Sequence, residues 1–478
     1  MPSNRNTFGH VSARPRLEPD NTWSYKYADR ATETAGCSFR EGQVEDEAHP
    51  YLTISAALHA MCAYMNAQHG TYVADGCVIK LKAGSHNHAR SAGEIVTSQE
   101  WVYVQADDEL NPEDVVLETA ANYDKCKRYC LRGVKVSGSN VFKYDSGTTY
   151  GAEDDLLWVD NCRCIGPGMW EVASHPLGCA TAGGLTRVED LYLTDTLIKN
   201  TDFGARYYTD SPYLSDFRLI RNVTFSNIGN DVLHGVHNVW GILVDNVDPG
   251  ETGWHADFWQ HTEGRQLKNV LIGNAWCTDL KFQGIMGNED AKLGHGVAFI
   301  NLYLRADDAT IKQLMIWYPD VVHLLLWHVG FRYDGEEEDE LYGNCTIVGE
   351  NYGIKSRWEG LDVRACYFDR LRTTLSADIG DDDFHDCNFR VIGGARPWQY
   401  WGEGKTNAEH GLDEFGKPGA GSVLRNRINP LIVPFDAVGR TRVVSASVGP
   451  YEYSLPHVRE VDKPVHLLSL VAGGTLVG

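Results

Sequence analysis

The sequence predicts an all-β fold, a solenoid of stacked parallel strands, because three short segments repeat within residues 222–283. Each segment begins with Asn-Val, at Asn222, Asn246 and Asn269, and runs through a short apolar stretch and a turn to an aspartate. A repeat of 23 to 24 residues is too short to bury its own apolar face, so its copies must stack on one another. The stretches are β-branched and interrupted by Gly and Asn, which favours strands over helices.

The N-terminal part predicts an arm followed by a cap. Residues 1–48 are polar and lack a periodic apolar pattern, so we expect an irregular arm or attachment segment. Within residues 49–86, Ile54, Leu58 and Met61 follow helical spacing, and a short β-branched run comes next. A helix that seals the open end before the first strand is what a solenoid needs.

Strand-like runs recur through the middle of the chain at spacings of 15 to 32 residues, which predicts loops of different length. These runs lie at residues 131–136, 156–159, 188–193, 217–225, 239–244, 270–273, 297–304, 311–317, 321–327, 345–348, 363–368 and 387–392. The acidic run at 334–340 predicts a solvated loop. The glycine-rich stretch 393–422 carries Trp398 and Trp401, which could stack on sugar rings or pack against the solenoid.

Two segments resemble a known family. The cap, LTISAALHAMCAYM followed by LKAGSH within residues 49–86, resembles that of right-handed parallel β-helix proteins of the pectate-lyase-like superfamily. Near the other end, VPFDAVGRTR followed by VGPYEY, within residues 433–453, resembles their closing pattern D-x-x-G-x-x-R … I-G-A-Y-E, with Pro450 in place of alanine. The resemblance implies one right-handed parallel β-helix over residues 49–455, with a short tail at 456–478, and says little about activity.

The repeat also predicts a column of carboxylates. Asp231, Asp257 and Asp279 follow their opening asparagines at offsets of 9, 11 and 10, and equivalent residues of neighbouring coils lie one strand spacing apart, roughly 4.8 Å. Hydrolysis of a glycosidic bond uses two carboxylates, about 5 Å apart in retaining enzymes. His234 and His255 could tune or relay protons. The Asp and His-Gly elements resemble those of polygalacturonase-like hydrolases, although no Asp-Asp pair and no Arg-Ile-Lys follow.

Other roles for the column remain open. Asp at coil corners also bonds the backbone of tight turns, and stacked carboxylates can hold a hard cation such as Ca²⁺. The superfamily's lyases use a basic residue for β-elimination, and the candidates here are Lys281, Arg206, Arg265 and Arg305. Candidate substrate-binding residues are Trp254, Trp259, Gln260, Lys281, Trp398 and Trp401.

Charge and composition restrict the kinds of partner that the protein could bind. A net charge of −22, from 65 acidic and 43 basic residues, disfavours nucleic acids and anionic membranes, since both require a basic face. The N-terminus lacks the apolar segment of a secretory signal, and no apolar run reaches the length of about 18 residues that would span a bilayer. The 12 cysteines are expected as small apolar residues inside the solenoid.

Two functions remain after this reading. In the first, the protein recognises and cleaves an extracellular polysaccharide, as a glycoside hydrolase or a lyase. In the second, it is a non-catalytic structural or adhesive protein, such as a phage tail spike or fibre component. There it would bind a host-surface glycan and attach through residues 1–48, as a homotrimer. Both place the protein outside the cell or on a virion.

Overall fold

In a computed structural model, the chain forms two compact units, residues 1–220 and 221–478. The described residues are 54–70, 72–73, 76, 78–86, 98–107, 110–117, 126–137, 156–166, 190–201, 204–206, 219–234, 236, 238–250, 256–261, 270–281, 283–287, 297–306, 313–317, 324–333, 361–372, 384–385, 387–393, 410–413, 416–428, 435–437, 440–442 and 445–453. Among them, strands in parallel sheets predominate and one α-helix is present. The predicted all-β parallel solenoid with an N-terminal helix is therefore confirmed.

Most of the described strands of the first unit stack in two parallel sheets. Its elements are α1 (Ile54–His69), β1 (Val78–Leu81), β2 (Gly84–His86), β3 (Ser98–Ala106), a 3₁₀ helix (Pro112–Asp114), β4 (Val115–Leu117), β5 (Cys126–Arg132), β6 (Lys135–Ser137), β7 (Leu156–Asp160), β8 (Arg163–Ile165), β9 (Asp190–Thr194), β10 (Leu197–Thr201) and β11 (Ala205–Arg206). Strands β1, β3, β5, β7 and β9 form one parallel sheet. Strands β2, β4, β6, β8 and β10 form a second.

The interior of this unit is apolar, and the helix seals against it. One in-register row, Ile79, Val104, Leu131, Val159 and Leu193, is wholly buried. Helix α1 contacts β1 and buries Ile54, Leu58 and Met61, the residues whose spacing predicted it. The predicted capping helix is thus present. The predicted arm, 1–48, lies outside the described residues.

The second unit has three sheets. Its strands are β12 (Leu219–Ile228), β13 (Leu233–His234), β14 (Asn238–Val247), β15 (Asp257–His261), β16 (Val270–Leu280), β17 (Gln283–Gly287), β18 (Val297–Ala306), β19 (Gln313–Trp317), β20 (Leu324–Trp327), β21 (Gly330–Tyr333), β22 (Leu361–Arg364), β23 (Tyr367–Arg372), β24 (Phe384–His385) and β25 (Asn388–Gly393). Sheet A comprises residues 238–240, 270–273 and 297–300 with β20, β22 and β24; sheet B comprises 242–247, 275–280 and 302–306 with β21, β23 and β25; sheet C comprises β13, β15, β17 and β19.

Left-handed residues make the corner between sheets A and B. They are Asn222, Gly241, Asn274, Asn301, His328 and Ala365, with φ of 50 to 73°. Asn and Gly tolerate this region, and the Asn301 amide donates to Asn274 Oδ1 on the next coil (2.8 Å). His328 is wholly buried there, and its burial, with the nearby Arg442 charge, lowers its pKa well below the usual value.

The corner explains why the Asn-Val repeat was misleading. Asn222 lies at the A–B corner, where its Oδ1 is 3.0 Å from the site of a side chain on Gly241. Asn246 lies at the following corner, where it donates to Asn227 Oδ1 (3.0 Å). The prediction that these pairs open equivalent coils is therefore wrong, because both kinds of corner select the same left-handed-tolerant residue. Asn269 lies outside the described residues.

The closing segment packs on the outer face of sheet B. It contributes Leu424, Ile428, Ala446 and Val448 to a cluster with the buried rings of Tyr303 and Tyr367. The predicted closing motif therefore covers aromatic side chains that sheet B points outward. The predicted tail, 456–478, lies outside the described residues, as does the acidic run 334–340, so these boundaries remain predictions.

Arg442 is the centre of this closing segment. Its side chain is wholly buried and donates to Glu452 Oε1 (2.6 Å) and Asn301 Oδ1 (3.2 Å). It also donates to the carbonyl oxygens of Phe435, Ser447 and Gly449. The Asp436 carboxylate accepts the backbone N–H groups of Arg440 and Glu452. Each charged residue of the motif thus has a structural partner.

No helix among the described residues has both the length and the apolar character needed to cross a bilayer. None of the seven cysteines whose side chains the structure describes forms a disulfide, and all seven are buried, as expected of small core residues.

Candidate functional site

Sheet C brings two of the predicted carboxylates together. Leu233 pairs with Trp259, so Asp231 and Asp257, two residues earlier on each coil, are level with each other. The Asp257 N–H donates to Asp231 Oδ1 (3.2 Å), and the Val232 N–H donates to the Asp257 carbonyl (2.8 Å). Asp231 and Asp257 are therefore neighbours on adjacent coils.

The third position of the column is an amide. Asp257 pairs with Gln283, whereas Asp279 lies at the end of β16 in a left-handed conformation (φ 55°). There it is level with Asn246, since the flanking residues of β14 and β16 pair. The prediction that Asp279 continues the column is wrong, because Asp279 occupies the corner that Asn246 occupies on the preceding coil.

Asp231 is held by a histidine. Its Oδ2 lies 2.7 Å from His234 Nδ1, and the two side chains are 2% and 12% exposed. Since its Oδ1 accepts the Asp257 N–H, both oxygens are engaged within the protein. His255 and Trp254, predicted beside this pair, lie outside the described residues.

Asp257 is a buried acid on the interior side of sheet C. It is wholly buried, on the same side of its strand as the buried Trp259. Among the described residues neither carboxyl oxygen has a hydrogen-bond partner, and neither has Gln283 Oε1. Burial, and then the charge of Asp231, raise the pKa of Asp257 well above its usual value. The carboxyl group therefore favours its neutral form, and in this structure a polysaccharide cannot contact it.

The raised pKa of Asp257 predicts that the stability of the fold depends on pH. The substitution Asp257→Asn should remove this dependence. A folded-state pKa above the unfolded value of about 3.9 stabilises the fold at low pH, and this stability is lost as pH rises through the folded-state pKa. We therefore expect the free energy of unfolding of Asp257→Asn to rise relative to that of the wild type as the pH increases above about 4, by up to about 1.4 kcal/mol per pH unit, when both are measured by urea unfolding across pH. Asp245→Asn, an exposed change on β14, is the control. A constant difference across pH would contradict the expectation.

The other predicted side chains do not converge on this pair. Trp259 is wholly buried, donates to the Val236 carbonyl (3.0 Å) and packs edge-on against Phe299, so no face is open to a sugar. Gln260 lies beside His234 in register and donates to Met286 Sδ (3.5 Å).

The basic candidates are also separate from the carboxylates. Lys281 pairs with Asp248 (2.7 Å), and Arg305 lies in register with Arg332 on sheet B. The side chains of Arg206 and Arg265 lie outside the described part of the chain, as do Trp398 and Trp401.

Sequence reasoning missed an apolar outer face on sheet A. Trp240, Ile300, Trp327 and Arg364 form an in-register row with Gly273, beside the half-buried residues Leu271, Ala298 and Leu325. We call these eight residues the sheet A platform. The interior row Val239, Ile272, Phe299, Leu326 and Val363 lies on the opposite side. The signal in the sequence is that runs such as LLLW are apolar at consecutive positions, so both faces of the strand are apolar.

The two tryptophans of the platform differ in their surroundings. The Arg364 guanidinium lies 5.4 Å above the Trp327 ring, and His328 approaches the same ring edge-on (5.7 Å). Trp240 is half-buried and has no aromatic or cationic partner recorded within the described residues. The indole N–H groups of both are buried without an acceptor there. Of the two tryptophans, Trp240 is therefore the one whose ring is available to a ligand.

The described part of the chain holds no group of three or more His, Cys, Asp and Glu side chains arranged to bind a metal ion. Calcium binding stays a prediction.

The stacked parallel sheets place the protein in the class of parallel β-helix proteins. No family model matches the chain, and no curated protein matches it. Among solved structures, it is similar to the A-module of the mannuronan C-5 epimerase AlgE4 from Azotobacter vinelandii. The identity is 12%, over 80% of this chain and 99% of that chain, with a TM-score of 0.26. A similarity this low carries no argument about activity.

Proposed function

We propose that the protein binds a polysaccharide on the sheet A platform. The observation that carries the proposal is the row of Trp240, Ile300, Trp327 and Arg364, in which Ile300 and Trp327 are buried and the two ends, Trp240 and Arg364, are half-buried. The C–H faces of a sugar ring are apolar and pack on an indole face, while its hydroxyl rim requires hydrogen-bond donors. Arg364 supplies such donors at one end of the row.

The shape of the platform suits a polymer. Trp240 and Arg364 are four strand spacings apart, about 19 Å, along the direction in which the coils stack. A chain of linked sugars that contacts both Trp240 and Arg364 would lie across the strands and span the coils between them. Recognition by repeated positions is the usual way in which a solenoid binds an extended ligand.

The proposal is recognition without cleavage by the predicted carboxylates. A catalytic acid and nucleophile must contact the glycosidic bond, but Asp231 is 2% exposed and Asp257 is wholly buried. The burial of both carboxyls on sheet C favours the adhesive reading over the hydrolytic one.

This reading fits an extracellular or virion-associated protein that attaches through residues 1–48, as a homotrimer in the manner of a tail spike. Light scattering of the full chain tests the oligomeric state, because a monomer would remove the spike analogy while leaving the platform proposal in place.

The test uses a microarray of neutral and acidic bacterial and plant polysaccharides. We expect the wild type to bind at least one of them, and Trp240→Ala to bind it about tenfold more weakly, a loss of about 1.4 kcal/mol. Leu243→Ala is the matched control, since Leu243 is a 38% exposed apolar residue on the sheet B part of the same strand. Equal losses in both variants, or no wild-type binding, would contradict the proposal.

A further inference from the structure

Gly273 lies directly beneath the indole of Trp240. The two residues are paired across β14 and β16. A methyl group at residue 273 would lie 2.2 Å from Cζ3 and 2.4 Å from Cε3 of Trp240, far inside van der Waals contact. The benzenoid ring therefore occupies the space that a side chain at residue 273 would fill.

The backbone does not explain this glycine. Gly273 is absent from the residues with positive φ, so another residue could adopt its conformation. Glycine weakens a strand interior, and it often marks a point where another group approaches the backbone closely. Here the group that approaches is the Trp240 ring.

Sheet B contains the same arrangement with its outer side occupied. The Tyr367 ring lies over Gly330, where a methyl group would be 2.3 Å from Cε1. Gly449 of the closing segment lies on this ring, since a methyl group there would be 2.7 Å from Cδ1. His410 contacts it edge-on as well (4.9 Å). In that case the protein itself covers the ring.

This position of the Trp240 ring has a cost. Its Nε1–H is buried without an acceptor among the described residues, which is unfavourable by roughly 1–3 kcal/mol. The missing side chain at residue 273 permits the position, because an added methyl group would overlap the ring.

We propose that Gly273 is a positioning residue, whose missing side chain lets the Trp240 ring lie over residue 273, where the ring can stack on a sugar. This inference rests on the proposed function. Gly273 makes no contact with the sugar itself; it determines the orientation of the ring that does. The ligand class is a glycan that presents the flat C–H face of a ring, and a bulkier residue at 273 should select against it.

The experiment measures the environment of the Trp240 ring and the binding of polysaccharide separately. The protein is labelled with 5-fluorotryptophan, and the Trp240 fluorine signal is assigned from its loss in Trp240→Phe. We expect Gly273→Ala to fold, to shift that signal, and to weaken polysaccharide binding on the microarray about as much as Trp240→Ala does. Gly421→Ala, a site with no atom within 4 Å of an added methyl group, should change neither.

Each outcome has a distinct meaning. An unmoved Trp240 signal in Gly273→Ala, or a moved signal with unchanged binding, overturns the positioning role while polysaccharide binding stands. No binding by the wild type overturns the proposed function and this inference with it. If Gly273→Ala folds poorly, a double-mutant cycle still tests the inference. Gly273→Ala should be tolerated in the Trp240→Ala background, because the ring that it would displace is absent there. An equal loss of melting temperature in the wild-type and Trp240→Ala backgrounds overturns the inference.

Discussion

Replacing Arg442 with methionine is expected to destabilise the second unit by about 3–5 kcal/mol, because it leaves a buried ionic partner uncompensated. Arg442 is wholly buried and pairs with Glu452 at 2.6 Å. The same change removes the donors to Asn301 and to three backbone carbonyls. Thermal and urea unfolding of the variant, followed by circular dichroism, measure the loss.

The control for this change is Arg427→Met in the same segment, where an exposed guanidinium donates to the Val423 carbonyl (3.0 Å). We expect it to lower the melting temperature little. Glu452→Gln added to Arg442→Met should recover part of the stability, because the unpaired charge is then removed. Equal effects of the two arginine changes would show that the buried network is not what stabilises the closing segment.

Replacing Trp259 with alanine is expected to cost about 3–5 kcal/mol through loss of core packing. The indole is wholly buried and meets Phe299 across the interior at 5.5 Å between ring centroids. Its N–H donates to the Val236 carbonyl, which would lose its donor. Unfolding midpoints in urea give the size of the effect.

Trp240→Ala is the comparison for this prediction, since Trp240 is half-buried on an outer face. We expect it to lower stability clearly less than Trp259→Ala does while weakening glycan binding. If Trp259→Ala kept wild-type stability and instead lost glycan binding, Trp259 would be a ligand contact rather than a core residue.

The fold was predictable because its signals are local. Ile54, Leu58 and Met61 marked one face of α1, and β-branched runs marked strands whatever their register. The closing motif was also readable, since its Arg442 and Glu452 form the buried pair that the structure contains.

The site was less predictable, because it depends on which side of a strand each residue faces. The sequence spacing correctly placed Asp231 and Asp257 on neighbouring coils. Successive side chains of a strand point to opposite faces, however, so a shift of one residue decides whether a side chain faces a surface groove or the interior. The platform was missed for a similar reason. Trp240, Ile300 and Trp327 are far apart in sequence, and only the pairing of β14, β16, β18 and β20 aligns them.

The contact between Arg442 and Asn301 has a consequence for biosynthesis. Asn301 leaves the ribosome 141 residues before its partner, so the coils around it must form while the closing segment is still missing. During that interval the rings of Tyr303 and Tyr367 have no cover from residues 410–453. Exposed aromatic rows on growing sheets favour association between nascent chains, so prompt synthesis and docking of residues 410–453 protects the polypeptide from other nascent chains on the same messenger RNA.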